Sequence, residues 1–206
     1  LQKLQLNIPS LVSLPNSIGQ LSSLQQLDLA GCSSISTLPE SLGNLEGLTC
    51  LKLSGCTSLT KLPELLGQLN SLQQLDLSGC SSLATLPQSL GQLSNLTLLS
   101  VPGCLTSLPS CLAELSSLTQ LNLAGCSSLT TLPDSICQLS SLQQLNLAGC
   151  SSLITLPDSI CQLSSLQRLD LAGCNSLASL PQSLGQLSNL TLLSVSGCLT
   201  SLPDVL

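Results

Sequence analysis

Two groups of residues in this chain have types and spacings that could do chemistry. The first is a set of twelve cysteines, which could form disulfides or hold a metal ion. The second is Asp28, Lys52 and Asp76, three charged residues that follow one another at intervals of 24. The sequence contains no histidine, which excludes a Ser-His or Cys-His nucleophile. Whether either group forms a site depends on the elements that carry it.

A sequence repeat that fills the chain predicts those elements. Nine copies of 22–24 residues can be laid out over residues 1–206. They share L-x-x-L-x-L, with Val101 and Val195 for the last Leu in two copies, then Gly-Cys in all but the first copy, then Leu-Pro. In the second copy, Leu27 and Leu29 face the same side of a short strand, Gly31 ends the strand, and Pro39 precedes a short helical or 3₁₀ turn. One copy buries its apolar face only when it is stacked on its neighbours.

The pattern resembles the leucine-rich repeat family over the whole sequence. The resemblance implies a single domain, residues 1–206, folded as an α/β-type solenoid in the shape of a horseshoe. Its concave side would carry a parallel sheet of about nine short strands, and its convex side short helical or 3₁₀ turns. The segment GCSSLTTLPDSICQLSSL, residues 125–142, is similar to the C-terminal repeats of the nucleotide-binding, leucine-rich repeat disease-resistance receptors of plants. This finer resemblance implies a role in plant defence and a cytoplasmic location.

The composition limits the partners and points to the history of the array. The net charge is −6, with only four basic residues, which argues against nucleic acids and anionic membrane surfaces as partners. Phe, Trp, Tyr, Met and His are all absent. Residues 85–109 and 179–203 are near copies of one another, so a block of four repeats has been duplicated. The chain therefore has the character of an amplified, consensus or engineered array.

The cysteines are predicted to be structural. Eight of them follow the repeat glycine, where many members of the family place Asn: Cys32, Cys56, Cys80, Cys104, Cys126, Cys150, Cys174 and Cys198. We expect a buried column of free thiols, because side chains stacked in parallel do not converge as a disulfide requires, and a column cannot form a tetrahedral zinc site. No metal or cofactor is predicted. Cys137 and Cys161 replace a repeat glycine, and Cys111 lies near the corresponding place. Cys50 is predicted on the concave face, as the most reactive thiol.

Five of the ten acids follow the repeat proline directly or nearly so. They are Glu40, Glu64, Asp134, Asp158 and Asp204. At that place an acid is predicted to lie in the first turn of the return segment and to cap its free N–H groups. These residues therefore explain much of the acidic excess without a functional site.

Function in such a fold is predicted on the concave face, at the positions between the core leucines. The candidate binding residues are Gln26, Asp28, Cys50, Lys52, Gln74, Asp76, Gln120, Asn122, Gln144, Asn146, Arg168 and Asp170. Asp28 and Asp76 would stand about 10 Å apart on an open face with Lys52 between them, which suits an exposed ion pair better than an acid–base pair. No enzymatic activity is predicted.

The predicted function is therefore recognition of a protein or peptide partner. The alternative is a structural or engineered array with no evolved ligand. Two observations favour it: the side chains of the concave face are nearly constant, and Arg168 is the one residue among them of a type enriched in binding hot spots. The sequence shows no polar capping element at either end, which predicts self-association through the terminal repeats.

Overall fold

The computed structural model describes residues 1–197 and 199–204. Nine strands form one parallel sheet in which each strand pairs with the strands of the neighbouring repeats, in the order β1 to β9. The strands are β1 (Lys3–Gln5), β2 (Gln26–Asp28), β3 (Cys50–Lys52), β4 (Gln74–Asp76), β5 (Leu98–Ser100), β6 (Gln120–Asn122), β7 (Gln144–Asn146), β8 (Arg168–Leu171) and β9 (Leu192–Val195). The predicted parallel sheet is confirmed.

The return segments of the first eight repeats are 3₁₀ helices of five residues, each of which begins directly after the repeat proline. They are η1 (Asn16–Gln20), η2 (Glu40–Asn44), η3 (Glu64–Gln68), η4 (Gln88–Gln92), η5 (Ser110–Glu114), η6 (Asp134–Gln138), η7 (Asp158–Gln162) and η8 (Gln182–Gln186). Pro39 has φ −70° and ψ 145°, the extended conformation that admits a helix only after it. The turn closes when the Leu45 N–H donates to the Leu42 carbonyl at 3.1 Å.

The core is a continuous stack of leucines between the sheet and the 3₁₀ helices. In the second repeat Leu27 and Leu29 on the strand side, and Leu42 and Leu45 on the helix side, have no exposed surface. Full burial of a leucine side chain stabilises the fold by about 2 kcal/mol relative to an exposed one. Because the core runs on from repeat to repeat, each repeat is stabilised chiefly by its two neighbours.

Two glycine positions set how closely the repeats approach. Gly31 has φ +79°, which a residue with a side chain rarely adopts. It lies in the turn after β2, which ends earlier than predicted, at Asp28. Gly67 lies against the next repeat, where a Cβ would stand 2.5 Å from the Ser89 carbonyl oxygen. Cys137 and Cys161 occupy the equivalent place in later repeats, the first buried and the second half-buried. Those repeats therefore accommodate a side chain where the earlier ones do not.

Four of the acids after the proline lie in the first turn of their 3₁₀ helices, as predicted, but they make no capping hydrogen bond there: Glu40, Glu64, Asp134 and Asp158. The first residue of η2, Glu40, accepts a hydrogen bond from the Leu65 N–H, which belongs to the following repeat, at 3.1 Å. Likewise Asp134 Oδ1 accepts from the Ser159 hydroxyl of the following repeat at 2.7 Å. These two acids therefore join neighbouring repeats.

The first and last repeats leave apolar side chains uncovered. Leu1 and Val12 are 67% and 65% exposed, and Leu202 is 61% exposed. Leu4 and Leu193, whose counterparts elsewhere are buried, are only partly covered. None of the helices in the described ranges has the length and apolar character needed to cross a bilayer.

Candidate binding surface on the concave face

The pleat of each strand sends one side chain into the core and two onto the concave face. In β2, Leu27 is fully buried, Gln26 is exposed and Asp28 is half-buried. The parallel register aligns these positions across the sheet. The first row is Lys3, Gln26, Cys50, Gln74, Leu98, Gln120, Gln144, Arg168 and Leu192, and the second row is Gln5, Asp28, Lys52, Asp76, Ser100, Asn122, Asn146, Asp170 and Ser194. All twelve predicted residues lie in these rows, and that they bind a partner stays a prediction.

Side-chain oxygens of the second row bind their own backbone. Asp28 Oδ1 accepts a hydrogen bond from the Ala30 N–H at 3.0 Å. Asp76 Oδ1 accepts from both the N–H and the hydroxyl of Ser78, at 3.0 and 2.7 Å. The same bond, two residues along the chain, is made by Asn122, Asn146 and Asp170. One oxygen of each side chain therefore fixes the exit of its strand.

The sequence did carry a signal for this role, although the prediction missed it. Five of the nine strands have Asp or Asn in the second row, and these two residues share a side-chain oxygen at Cγ as their common acceptor. If negative charge were required at this position, only Asp would serve. A mixture of Asp and Asn instead indicates an acceptor for a backbone N–H.

The three charges singled out from the sequence lie side by side. Lys52 is aligned with Asp28 on one side and Asp76 on the other. Strand spacing puts each neighbour about 4.8 Å away at Cα. The Lys52 side chain is exposed, and each carboxylate already accepts a hydrogen bond from its own turn. The three charges are therefore neighbours on an open face, where the attraction between opposite charges is weak, and they do not form an enclosed acid–base pair.

Cys50 lies in the first row between Gln26 and Gln74, as predicted. It is half-buried, and its Sγ donates to Gln74 Oε1 at 3.7 Å. Burial raises the pKa of the Cys50 thiol above its ordinary value, the carboxylates of Asp28 and Asp76 add to this, and Lys52 opposes it. A raised pKa leaves less thiolate at neutral pH, so the accessible thiol is also a weakened nucleophile.

The other cysteines lie behind the sheet. All eleven cysteines that the structure describes, Cys50 included, are free thiols, and Cys198 lies outside the described residues. Cys56 Sγ donates to the Leu29 carbonyl at 3.3 Å, and Cys80 Sγ to the Leu53 carbonyl at 3.1 Å, in each case a carbonyl of the preceding repeat. The buried column of thiols is thus confirmed for six of its seven described members, and the seventh, Cys104, is only half-buried.

A shallow trough crosses the concave face from β5 to β9. Its first part, about 190 Å³, is lined by Leu98, Ser100, Gln120, Leu121, Asn122, Gln144 and Asn146. Its second part, about 320 Å³, is lined by Gln144, Leu145, Asn146, Arg168, Asp170, Leu192 and Ser194. Because Gln144 and Asn146 line both, the two parts form one surface, which we call the β5–β9 trough.

Comparison with protein families agrees with this architecture. Residues 51–148 match a model described as a leucine-rich repeat region, and residues 23–45, 141–163 and 165–187 match the leucine-rich repeat model. The chain belongs to the leucine-rich repeat family. Among curated protein sequences there is no match.

Solved leucine-rich repeat structures share the fold. A leucine-rich repeat protein of Leptospira interrogans is 34% identical with a TM-score of 0.74, and the match covers 95% of this chain and 55% of that one. The leucine-rich repeat domain of the type III effector XopL is 29% identical with a TM-score of 0.69, covering 89% and 73%. The Arabidopsis receptor kinase HAESA, in complex with the peptide hormone IDA and a co-receptor, is 25% identical with a TM-score of 0.62, covering 96% and 38%. The present chain thus spans about half the length of the Leptospira protein.

The side chains of this leucine-rich repeat trough are suited to non-covalent recognition. The exposed Gln120 and Gln144 each offer an amide donor and an amide acceptor, which can pair with a peptide backbone. Arg168, exposed in β8, offers a positive charge and a planar set of donors. The trough therefore presents amides, one cation and leucine side chains on a fixed sheet.

Proposed function

We propose that this chain is a recognition scaffold without enzymatic activity, and that it binds a peptide, free or as a segment of a protein, through its concave face. The β5–β9 trough carries the proposal, because Gln120, Gln144 and Arg168 project into it from paired strands. Proteins of this family are generally protein-interaction scaffolds. The similar structure of HAESA was determined with a peptide hormone bound, which supports a ligand of this class.

Catalysis is not part of the proposal. The carboxylates of the concave face are held by their own turns, as the bond from the Ala30 N–H to Asp28 shows. Nucleic acids and membranes are not proposed as partners either, since the net charge is −6 and only four residues are basic. The proposed ligand is therefore a polypeptide.

The finer proposal is that the chain belongs with the intracellular immune receptors of plants, in the cytoplasm. It is supported by residues 125–142, whose Gly-Cys and Leu-Pro pairs are similar to the repeats of those receptors. The similar solved structures come from bacterial proteins and a plant receptor kinase, and they support the fold and the general class of function.

An array without a ligand is the second candidate. One observation favours it: the first row carries Gln in four of its nine positions, namely Gln26, Gln74, Gln120 and Gln144. A surface that distinguishes one ligand from others is expected to vary more along its length. The two candidates differ in whether any peptide binds the trough selectively.

Selection from a random library of displayed 12-residue peptides tests the proposal. We expect enriched peptides whose binding falls at least about tenfold when Gln120→Glu and Gln144→Glu place two charges in the trough. The matched control is Gln138→Glu with Gln162→Glu, the same changes in the same repeats at exposed positions of η6 and η7, and it should leave binding unchanged. No enriched peptide, or equal loss in both variants, would favour the array without a ligand.

We also propose that the chain self-associates through its first and last repeats. The exposed side chains of Leu1, Val12 and Leu202 support this, since a second copy would remove them from water. Sedimentation velocity over a hundredfold range of concentration should show a rising average mass. A Val12→Ser variant should weaken the effect, and a single monomeric species at all concentrations would exclude it.

A further inference from the structure

Two leucines interrupt the polar first row of the concave face. Elsewhere the row carries Lys, Gln, Cys or Arg, but β5 begins with Leu98 and β9 with Leu192. Leu98 is half-buried and Leu192 is 45% exposed, so each presents apolar surface on the concave side. They line opposite ends of the β5–β9 trough, one in each of its parts. Two apolar side chains at the ends of one polar trough differ from isolated surface leucines, which need no explanation.

The duplication of the four-repeat block fixes how far apart these leucines are. Leu98 and Leu192 occupy the same position in the two copies of the block, residues 85–109 and 179–203. Four strand pairings, β5 to β9, therefore separate them. At about 4.8 Å between strands, the separation is about 19 Å. Because the sheet is hydrogen-bonded throughout, this distance is held by the scaffold.

We infer that the trough binds an extended peptide that carries two aliphatic side chains six residues apart, an inference that rests on the proposed function of the concave face. An extended chain advances about 3.3 Å per residue, so six residues span about 20 Å and match the two leucines. Side chains alternate between the two faces of an extended peptide. An even separation of six therefore directs both aliphatic groups toward the sheet.

The side chains between the two aliphatic groups are constrained as well. Those at the second and fourth positions after the first aliphatic residue also face the sheet. They lie over Gln120 and Gln144 in the middle of the trough and over Arg168 near its β9 end. The amides suit a neutral polar side chain, and the exposed guanidinium suits a carboxylate. The expected ligand thus has an aliphatic residue at each end, with one neutral polar and one acidic side chain between them on the same face.

Synthetic peptides of defined spacing test this inference. The probe is Leu-Ser-Gln-Ser-Glu-Ser-Leu, flanked by glycines and labelled for fluorescence anisotropy. A second peptide has Gln and Glu exchanged. The order that binds more tightly is then synthesised with the two leucines four, six and eight residues apart. We expect the six-residue spacing to bind at least about tenfold more tightly than the other two, because only it engages both leucines of the trough.

Variants of the chain supply the matched comparison. Leu98→Gln and Leu192→Gln should each weaken binding about tenfold and remove the preference for six residues. Glutamine already stands at this position in four other strands, so the sheet accommodates it. The control is Gln138→Leu, which adds a leucine at an exposed position of η6, away from the concave face, and should leave affinity and spacing preference unchanged.

Three outcomes would overturn the inference: no binding of the six-spaced peptide, equal binding of all three spacings, or unchanged binding by Leu98→Gln and Leu192→Gln. These outcomes are distinguishable from failure of the proposed function. If library peptides bind the trough but the spacing series fails, the concave function stands and the two-leucine inference is wrong. If neither kind of peptide binds, both are wrong.

Discussion

The side chains on the two sides of each strand in this protein differ in burial and in contacts. On the core side, Leu75 is fully enclosed, and the Cys80 thiol donates to a carbonyl of the repeat before it. On the concave side, Gln74 is exposed, and its contact is a long hydrogen bond from Cys50. Both sides repeat with little variation along the chain. Packing explains the constancy of the core side, whereas nothing in the structure requires it of Gln74.

Alkaline pH should produce the largest difference between the two sides. Burial raises the pKa of Cys56 and Cys174 to about 11 and that of Cys80 to about 12, from an ordinary value of 9.0. In the unfolded chain these thiols ionise near pH 9, while in the folded chain they stay protonated. Their contribution to stability is therefore fully present below pH 9 and is lost as the pH rises through 11 to 12. The expected loss is about 1.4 kcal/mol per pH unit for each thiol.

Urea denaturation at a series of pH values measures this loss. Burial also raises the pKa of Cys111 and Cys137, so Cys80→Ala removes one of several contributing thiols. It should reduce the slope above pH 9 by about 1.4 kcal/mol per pH unit. Cys50→Ala, on the concave side, should reduce it less, because Cys50 is only half-buried. A free energy of unfolding that does not fall between pH 9 and 11 would contradict the burial of the column.

Neighbouring residues of β4 offer the next largest contrast. Leu75→Ala should lower the free energy of unfolding by about 3 kcal/mol, because it leaves a cavity between repeats that are stacked on both sides. Gln74→Ala should change it by less than about 0.5 kcal/mol. Denaturation midpoints of the two variants at pH 7 give the comparison. Similar losses would mean that the exposed row supports the fold in a way its contacts do not show.

Side chains of the second row lie on the concave side but also stabilise the fold. Substitutions of Asp76 test this structural role. Asp76→Ala removes the acceptor for the Ser78 N–H and hydroxyl and should cost about 1 kcal/mol of stability. Asp76→Asn keeps an oxygen at the same place and should cost much less. Urea denaturation separates the two. Equal losses would assign the effect to charge, with Lys52 as the partner, instead of to the turn.

The sequence predicts most of this fold because the residues that are the same in nearly every repeat are those that packing requires. The spacing of Leu24, Leu27 and Leu29 defines the strand and its inward face, and Pro39 marks the start of the 3₁₀ turn. The candidate residues, too, fall on the concave rows. The sequence could not show which partner each polar side chain hydrogen-bonds. Asp28 serves its own turn and Glu40 the next repeat, and both contacts depend on distances that a repeat pattern does not contain.

The trough escaped prediction for a related reason. In the sequence Leu98 does not differ from the many other leucines, and only the alignment of the repeats places it in the outward row. Its significance depends on its distance from Leu192 and on the depression between them, which only the stacked sheet defines. A sequence search restricted to apolar residues in that row would have found both.

Substitutions around Cys50 should have the smallest and most local effect. Its thiol lies on the concave side of the sheet, whereas the thiol column is buried behind the sheet. With a neutral alkylating reagent at pH 8, Cys50 should react in the folded protein, whereas Cys80 should react only when the protein unfolds. Because the pKa of Cys50 is raised by burial first and by Asp28 and Asp76 in addition, Asp28→Asn with Asp76→Asn should lower it and speed labelling about two- to threefold. Both substitutions keep the oxygen that accepts the turn hydrogen bond, so the backbone is left in place.

Lys52→Gln should act in the opposite direction on the same thiol. Its positive charge lowers the pKa of Cys50, and its removal should raise the pKa and slow labelling at pH 8. Rates measured by mass spectrometry between pH 7 and 10 give the apparent pKa of each variant directly. If neutralising the carboxylates slowed the reaction, or removing the lysine accelerated it, the three charges would not face Cys50 as the register places them. With the predicted signs, the rates would show that the concave rows form one electrostatic surface, even though its exposed charges contribute little to stability.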